Sequence, residues 1–143
     1  MSNLVTFEQG MQLKRLGFRE RVRAYYIDGS LDFNNPINWN TNEGLDEDGE
    51  YQEEDECCSA PPVSDALDWV REEKGIECGV YPIMIPIMDG LKRMAYAHSA
   101  FDLNKNCKRL RLNISLVKID THHLASSALL DAVLTYLEQK EQK

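Results

Sequence analysis

Two Asp-Gly pairs do most to limit what this chain can fold into. Asp28-Gly29 lies between VRAYYI and SLDF, and Asp89-Gly90 lies between Met88 and Leu91. Asp-Gly between runs of branched and aromatic residues is a strong hairpin signal. A type I′ turn needs positive φ at both central residues, and glycine adopts that at no steric cost. The first hairpin is predicted with arms at 22–27 and 30–33, the second over 78–97. Pro82 and Pro86 both fall in the first arm of the second hairpin. Residues four apart in a strand direct their backbone nitrogens to the same side, so both prolines delete donors along one side. That predicts an edge strand. Residues 109–119 alternate cleanly. Leu110, Leu112, Ile114 and Leu116 point one way, and Arg109, Arg111, Asn113 and Ser115 the other, which predicts a strand with one buried and one wet face.

Three helices complete the pattern. Thr6 with Gln9 three residues later has the spacing of a capping box, and Gly17 is a natural stop for a helix over 6–16. Ser64 after Pro61-Pro62 and Gly75 bracket a second helix at 65–74, with Ala66, Leu67, Trp69 and Val70 on one arc. A third is predicted at 122–138, capped by Asp120 or Thr121. Ala125, Leu129, Ala132, Val133 and Tyr136 centre its apolar face, and Leu130, Leu134 and Leu137 widen it beyond the ~100° that a helix needs to sit on a sheet. The extra width calls for a second surface: another helix of the chain or another subunit. The sum is an α+β fold in two layers. Its sheet is mostly antiparallel, with four to five strands, in a single domain over 1–143.

Charge singles out one segment. The chain carries a formal net charge of −8, yet nine acids and no base lie between Glu43 and Glu56, and the remainder is close to neutral. The stretch from about 40 to 60 has no period of two or of 3.6. It is expected as a mobile acidic insert, with Ile37 and Trp39 anchoring its start. Two basic clusters remain: Lys14, Arg15, Arg19, Arg21 and Arg23, and Lys105, Lys108, Arg109 and Arg111. No apolar run reaches the ~18–20 residues that span a bilayer, and the N-terminus lacks the order of a secretory signal, so no membrane association is expected.

No pattern points to catalysis. Asp46, Asp48 and Gly49 suit positions 3, 5 and 6 of a calcium loop, but Gly44 at position 1 cannot ligate and Asp55 stands where a bidentate glutamate belongs. Cys57-Cys58 and His122-His123 are adjacent pairs, too close to share one tetrahedral zinc ion easily. A thiol–imidazole pair of Cys57 or Cys58 with His98 would follow nine acids that raise a thiol pKa. The four cysteines are expected as free thiols. No phosphate loop, dinucleotide fingerprint or nucleophile elbow is present. The reading is non-catalytic, with no cofactor and no metal.

A resemblance adds a setting. Cys58-Ser59-Ala60-Pro61-Pro62, then Ala66-Leu67-Asp68-Trp69-Val70-Arg71-Glu72, together with Tyr25-Tyr26 before Asp28-Gly29 and Ile37-Asn38-Trp39-Asn40, resemble a family of small uncharacterised proteins of Bacteroides-type gut bacteria and their phages. The long acidic insert and Cys57-Cys58 depart from that family's pattern. The resemblance implies a phage or mobile-element origin and a bacterial cytoplasm, and no chemistry.

The expectation is therefore a protein–protein interaction or regulatory module. Its candidate contact residues are Leu130 and Leu134, the exposed pair Arg109 and Arg111, and the acids Asp46, Asp48, Glu53 and Glu54. A homodimer through the helix at 122–138 is one form of it. The rival is a nucleic-acid-associated regulator that uses a basic sheet face, with the acidic arm competing for it.

Overall fold

The fold is α+β. A computed structural model describes residues 3–37, 40, 57–112, 114 and 121–141. The acidic run at 43–56 lies outside them. Among the described residues the strands form two three-stranded antiparallel sheets rather than the one expected, and the chain divides into two compact units: 1–62 with 137–143, and 63–136.

In the first unit, α1 (Phe7–Leu16) forms as its caps dictate. The Thr6 hydroxyl accepts the Gln9 N–H while the Gln9 side chain accepts the Thr6 N–H. Gly17 closes the helix at φ +103°, and the Phe18 N–H reaches the Leu13 carbonyl, placing the buried Phe18 ring beside the last turn. Strands β1 (Val22–Ile27) and β2 (Ser30–Ile37) turn at Asp28-Gly29, both at positive φ. A third strand, β3 (Cys57–Ser59), pairs with the other side of β1, giving the order β2-β1-β3. Helix α1 packs so closely on β3 that a Cβ on Gly10 would meet Cys58 Sγ at 2.8 Å and the Ser59 carbonyl at 3.0 Å. Lys14 Nζ donates to the Cys57 carbonyl at 2.7 Å. Asn40 anchors the entry to the acidic segment: its Nδ2 donates to the Phe18 carbonyl at 2.8 Å, and its Oδ1 accepts the Ser59 N–H at 2.9 Å. The side chains of the expected anchors, Ile37 and Trp39, lie outside the described residues.

The second unit opens with α2 (Val63–Lys74), which begins before the expected cap, so Ser64 sits inside its first turn. Val63, Ala66, Trp69 and Val70 are buried, as their shared arc requires. Gly75, at φ +71°, leads into a long hairpin of β4 (Ile76–Met88) and β5 (Leu91–Asp102), with β6 (Lys108–Arg109) on the far side of β5. The order β4-β5-β6 places β4 at an edge, where Pro82 and Pro86 require it. Of the strand expected over 109–119, the described residues show Arg109 paired with Phe101 and one further bond from the Leu110 N–H to the Ala100 carbonyl. Residues 113 and 115–120 lie outside the described set. Helix α3 (His122–Glu141) is capped by Thr121, whose hydroxyl accepts the Leu124 N–H. It lies over Val80 and Tyr96 through Ala125 and Ala128. Among the described residues no helix is long and apolar enough to cross a membrane.

Candidate functional site

Leu130 and Leu134 are fully buried within the chain. These two leucines are packed within the chain and are not available to a partner. Arg109 and Arg111 are exposed, with Leu110 buried between them, as the alternation predicts. Asp46, Asp48, Glu53 and Glu54 lie outside the described residues.

The Arg109–Leu112 segment is flanked by two cavities. One, of about 410 Å³, is bordered by His98 and Ser99; the other, of about 590 Å³, by Lys108 and Tyr136. No carboxylate is among their described lining residues. At the second, half-buried Tyr136 bonds the buried Asp102, a polar pair that the alternation pattern did not reveal. Asp102 is fully buried, its Oδ1 accepts the Asn104 N–H at 3.0 Å, and its Oδ2 accepts the Tyr136 hydroxyl at 2.8 Å. Burial, then the bond to Asp102 and its charge, push the Tyr136 phenol up to about 12.

Desolvation governs the thiols of Cys58 and Cys78. Cys57 and Cys58 are buried in β3, and burial, reinforced by Cys57, pushes the Cys58 thiol up to about 12 against the pull of Lys14. Burial does the same to Cys78, with Glu77 adding to it. These thiols are protonated at neutral pH and are poor nucleophiles. The direction matches the sequence expectation, but for Cys58 the leading cause is desolvation rather than the acidic run. Among the described residues no three His, Cys, Asp or Glu side chains gather as a metal site.

The surface that stands out is the outer half of the β4–β5 hairpin. Register pairs Val80 with His98, Pro82 with Tyr96, Met84 with Met94, and Pro86 with Lys92. Paired residues share a face, and faces alternate with period two. The face that carries Val80 and Tyr96 under α3 therefore continues outward through Pro82, Met84 and Met94. The cover ends between Tyr96, which is buried, and Met94, which is 54% exposed. Met84, Ile87, Met88 and Leu91 are likewise more than half exposed, and Tyr81 nearly so. No residue from Tyr81 to Met94 is buried. The arm runs roughly 23 Å at the usual rise per residue. The sequence signal was the run Ile83–Met88, apolar on both faces beside a turn, where a half-buried strand would alternate.

Comparison with protein-family models, with curated proteins and with solved structures finds no match to this chain.

Proposed function

We propose that this protein is a non-catalytic protein–protein interaction module, of phage or mobile-element origin and working in a bacterial cytoplasm, whose contact surface is the β4–β5 arm. One observation carries the reading: six large apolar side chains, Tyr81, Met84, Ile87, Met88, Leu91 and Met94, stand in solvent on one projecting hairpin. They stand on both faces of the hairpin, Met84 and Met94 on the face that carries Val80 and Tyr96 and Tyr81 on the other, and exposed apolar side chains grouped in this way mark interaction sites. Methionine suits the task because its unbranched, polarisable side chain adapts to a partner's contour. The protonated thiols count against a cysteine nucleophile. The resemblance carried by residues 58–72 supports the origin and the compartment.

The test compares the tagged wild-type chain with the Met84→Glu/Met94→Glu variant in source-organism lysate, at about 0.15 M and about 0.5 M salt. The expected result is a stoichiometric protein held by wild type at both salts and lost by the variant, because apolar contacts are not screened. Equal capture by both chains refutes the arm as the contact surface.

A second reading rests on Arg109 and Arg111, exposed beside cavities whose described lining holds no carboxylate. It makes the chain a nucleic-acid-associated regulator with residues 43–56 competing for the basic face. Retention of nucleic acid at low salt only, strengthened by deleting 43–56, favours it over the first.

A further inference from the structure

We infer that the face of the β4–β5–β6 sheet turned away from α3 binds single-stranded nucleic acid, with bases stacked on Tyr81 and Phe101 and phosphates held by Arg109 and Arg111. The inference rests on the second reading above and names the form of nucleic acid.

Register fixes which side chains share this face. Val80 and Tyr96 lie under α3, so their chain neighbours Tyr81 and Ala97, which pair with each other, look the opposite way. Gly79 pairs with Ser99 on that same face. Phe101 pairs with Glu77 on one side and with Arg109 on the other. The Leu110 N–H bonds the Ala100 carbonyl, so the next step along sets Arg111 beside Ser99. Leu110 is buried on the α3 side, which turns both arginines outward, and both are exposed.

The face has a floor and walls. Gly79, Ala97 and Ser99 place no large side chain between Tyr81 and Phe101. A Cβ added to Gly79 would meet nothing within 4 Å, so the space above the floor is open. A glycine inside a strand often marks a place where a ligand approaches closely. Tyr81, 46% exposed, and half-buried Phe101 stand at the two ends, roughly 14 Å apart from strand rise and spacing. A cavity of about 410 Å³ borders Ser99, Arg109 and Arg111 along one side.

Charge names the class of ligand. Lys14 is held by the Cys57 carbonyl, Arg15 by Glu138 and Arg71 by Asp68. The guanidinium groups of Arg109 and Arg111 have no such ion pair or hydrogen bond among the described residues. A planar guanidinium with unused donors matches the oxygens of a phosphate. Among the described residues the one acid on this face is Glu77, which faces Arg71 at 3.8 Å. The aromatic rings then separate single strands from duplexes. A ring stacks on the flat face of an unpaired base, and a duplex hides those faces in its own stack. A free nucleotide would use one ring and one arginine. Two rings and two arginines on one face suit a strand.

The experiment is fluorescence anisotropy on the purified full chain, with a labelled single-stranded DNA of mixed sequence, its duplex, and a nucleoside monophosphate as competitor. At low salt the single strand should bind about tenfold or more tightly than the duplex. Tyr81→Ala should weaken it by about fivefold or more, the lower end for one stacked base, and Phe101→Leu should weaken it as well. Arg109→Gln/Arg111→Gln should lower the slope of log affinity against log salt by roughly 1.4. Tyr81, Arg109 and Arg111 are exposed, so their variants should melt with wild type. Equal binding of single strand and duplex, unaffected by Tyr81→Ala, overturns the inference; if the arginine variant still weakens both, the basic-face reading stands without it. Strand binding that ignores the two arginines overturns it too, as does binding of the monophosphate alone. Absence of binding by either form at low salt refutes the inference and the second reading together.

Discussion

Replacing Tyr136 with phenylalanine removes one oxygen and leaves the ring. In the folded chain that oxygen donates to Oδ2 of Asp102 at 2.8 Å, and Asp102 has no exposed surface. A hydrogen bond to a charged acceptor contributes about 1.5–3 kcal/mol, and deleting the donor removes that contribution from the buried carboxylate. Tyr136 is itself partly exposed, so water can compensate in part, and the lower end applies: about 1.5–2 kcal/mol. With a denaturant slope near 1–3 kcal/mol per molar, the urea midpoint should fall by roughly 1 M. The pH dependence gives a second, independent signature. The Tyr136 phenol titrates near 10 when unfolded and at about 12 when folded. A raised folded value means that its stabilisation is fully present below pH 10 and is lost as pH rises through about 12. The gap between wild type and Y136F should therefore be constant up to about pH 10 and narrow above it. D102N, which removes the charge and keeps an acceptor, should return the phenol toward 10, read as tyrosinate absorbance against a Y136F blank. A Y136F midpoint within about 0.2 M of wild type, or a gap that does not narrow in alkali, would show that the bond does not hold β5 to α3 as argued.

Three further outcomes follow from the first unit and the thiols. Gly10→Ala should lower the melting temperature, because an added Cβ meets Cys58 Sγ at 2.8 Å. Overpacking of about 1–3 kcal/mol outweighs a helix-propensity gain of at most about 1; a melting temperature at or above wild type contradicts the close packing of α1 on β3. Asn40→Ala should cost about 1–3 kcal/mol in urea unfolding, since it takes the acceptor from the buried Ser59 N–H, while the Phe18 carbonyl keeps its bond from Arg19. An alkylating reagent on native protein should label the exposed Cys107 first and reach Cys57 and Cys58 only on unfolding, as mass spectrometry of timed samples would report. Early labelling of Cys58 would mean that β3 opens readily.

Much of the local structure was legible because its causes are local. The Thr6/Gln9 box, Gly17, the two Asp-Gly turns and Thr121 each act within a few residues, and all are found where the sequence puts them. The edge position of β4 was readable from Pro82 and Pro86, since a missing N–H is a property of the residue itself. What failed depended on distant chain. β3 is three residues long, and nothing in Cys57–Ser59 announces a strand until Tyr25–Ile27 lies beside it. The expected single sheet likewise became two, because which strands lie side by side is set by long-range pairing among the described residues and not by alternation along any one of them.

The candidate site divides in the same way. Sequence alone determined which side chains are apolar, which are charged, and how they alternate along each element, because those follow from residue type and backbone period. It made Leu130 and Leu134 look like the free surface and gave Met84 and Met94 no particular standing. The tertiary structure reversed that order. The chain's own packing covers the two leucines completely, whereas α3 covers the hairpin only as far as Tyr96 and leaves the same apolar face bare beyond it. Whether an apolar side chain is core or contact surface is decided by what else the chain brings over it, and that is a property of long-range contacts, not of the residue.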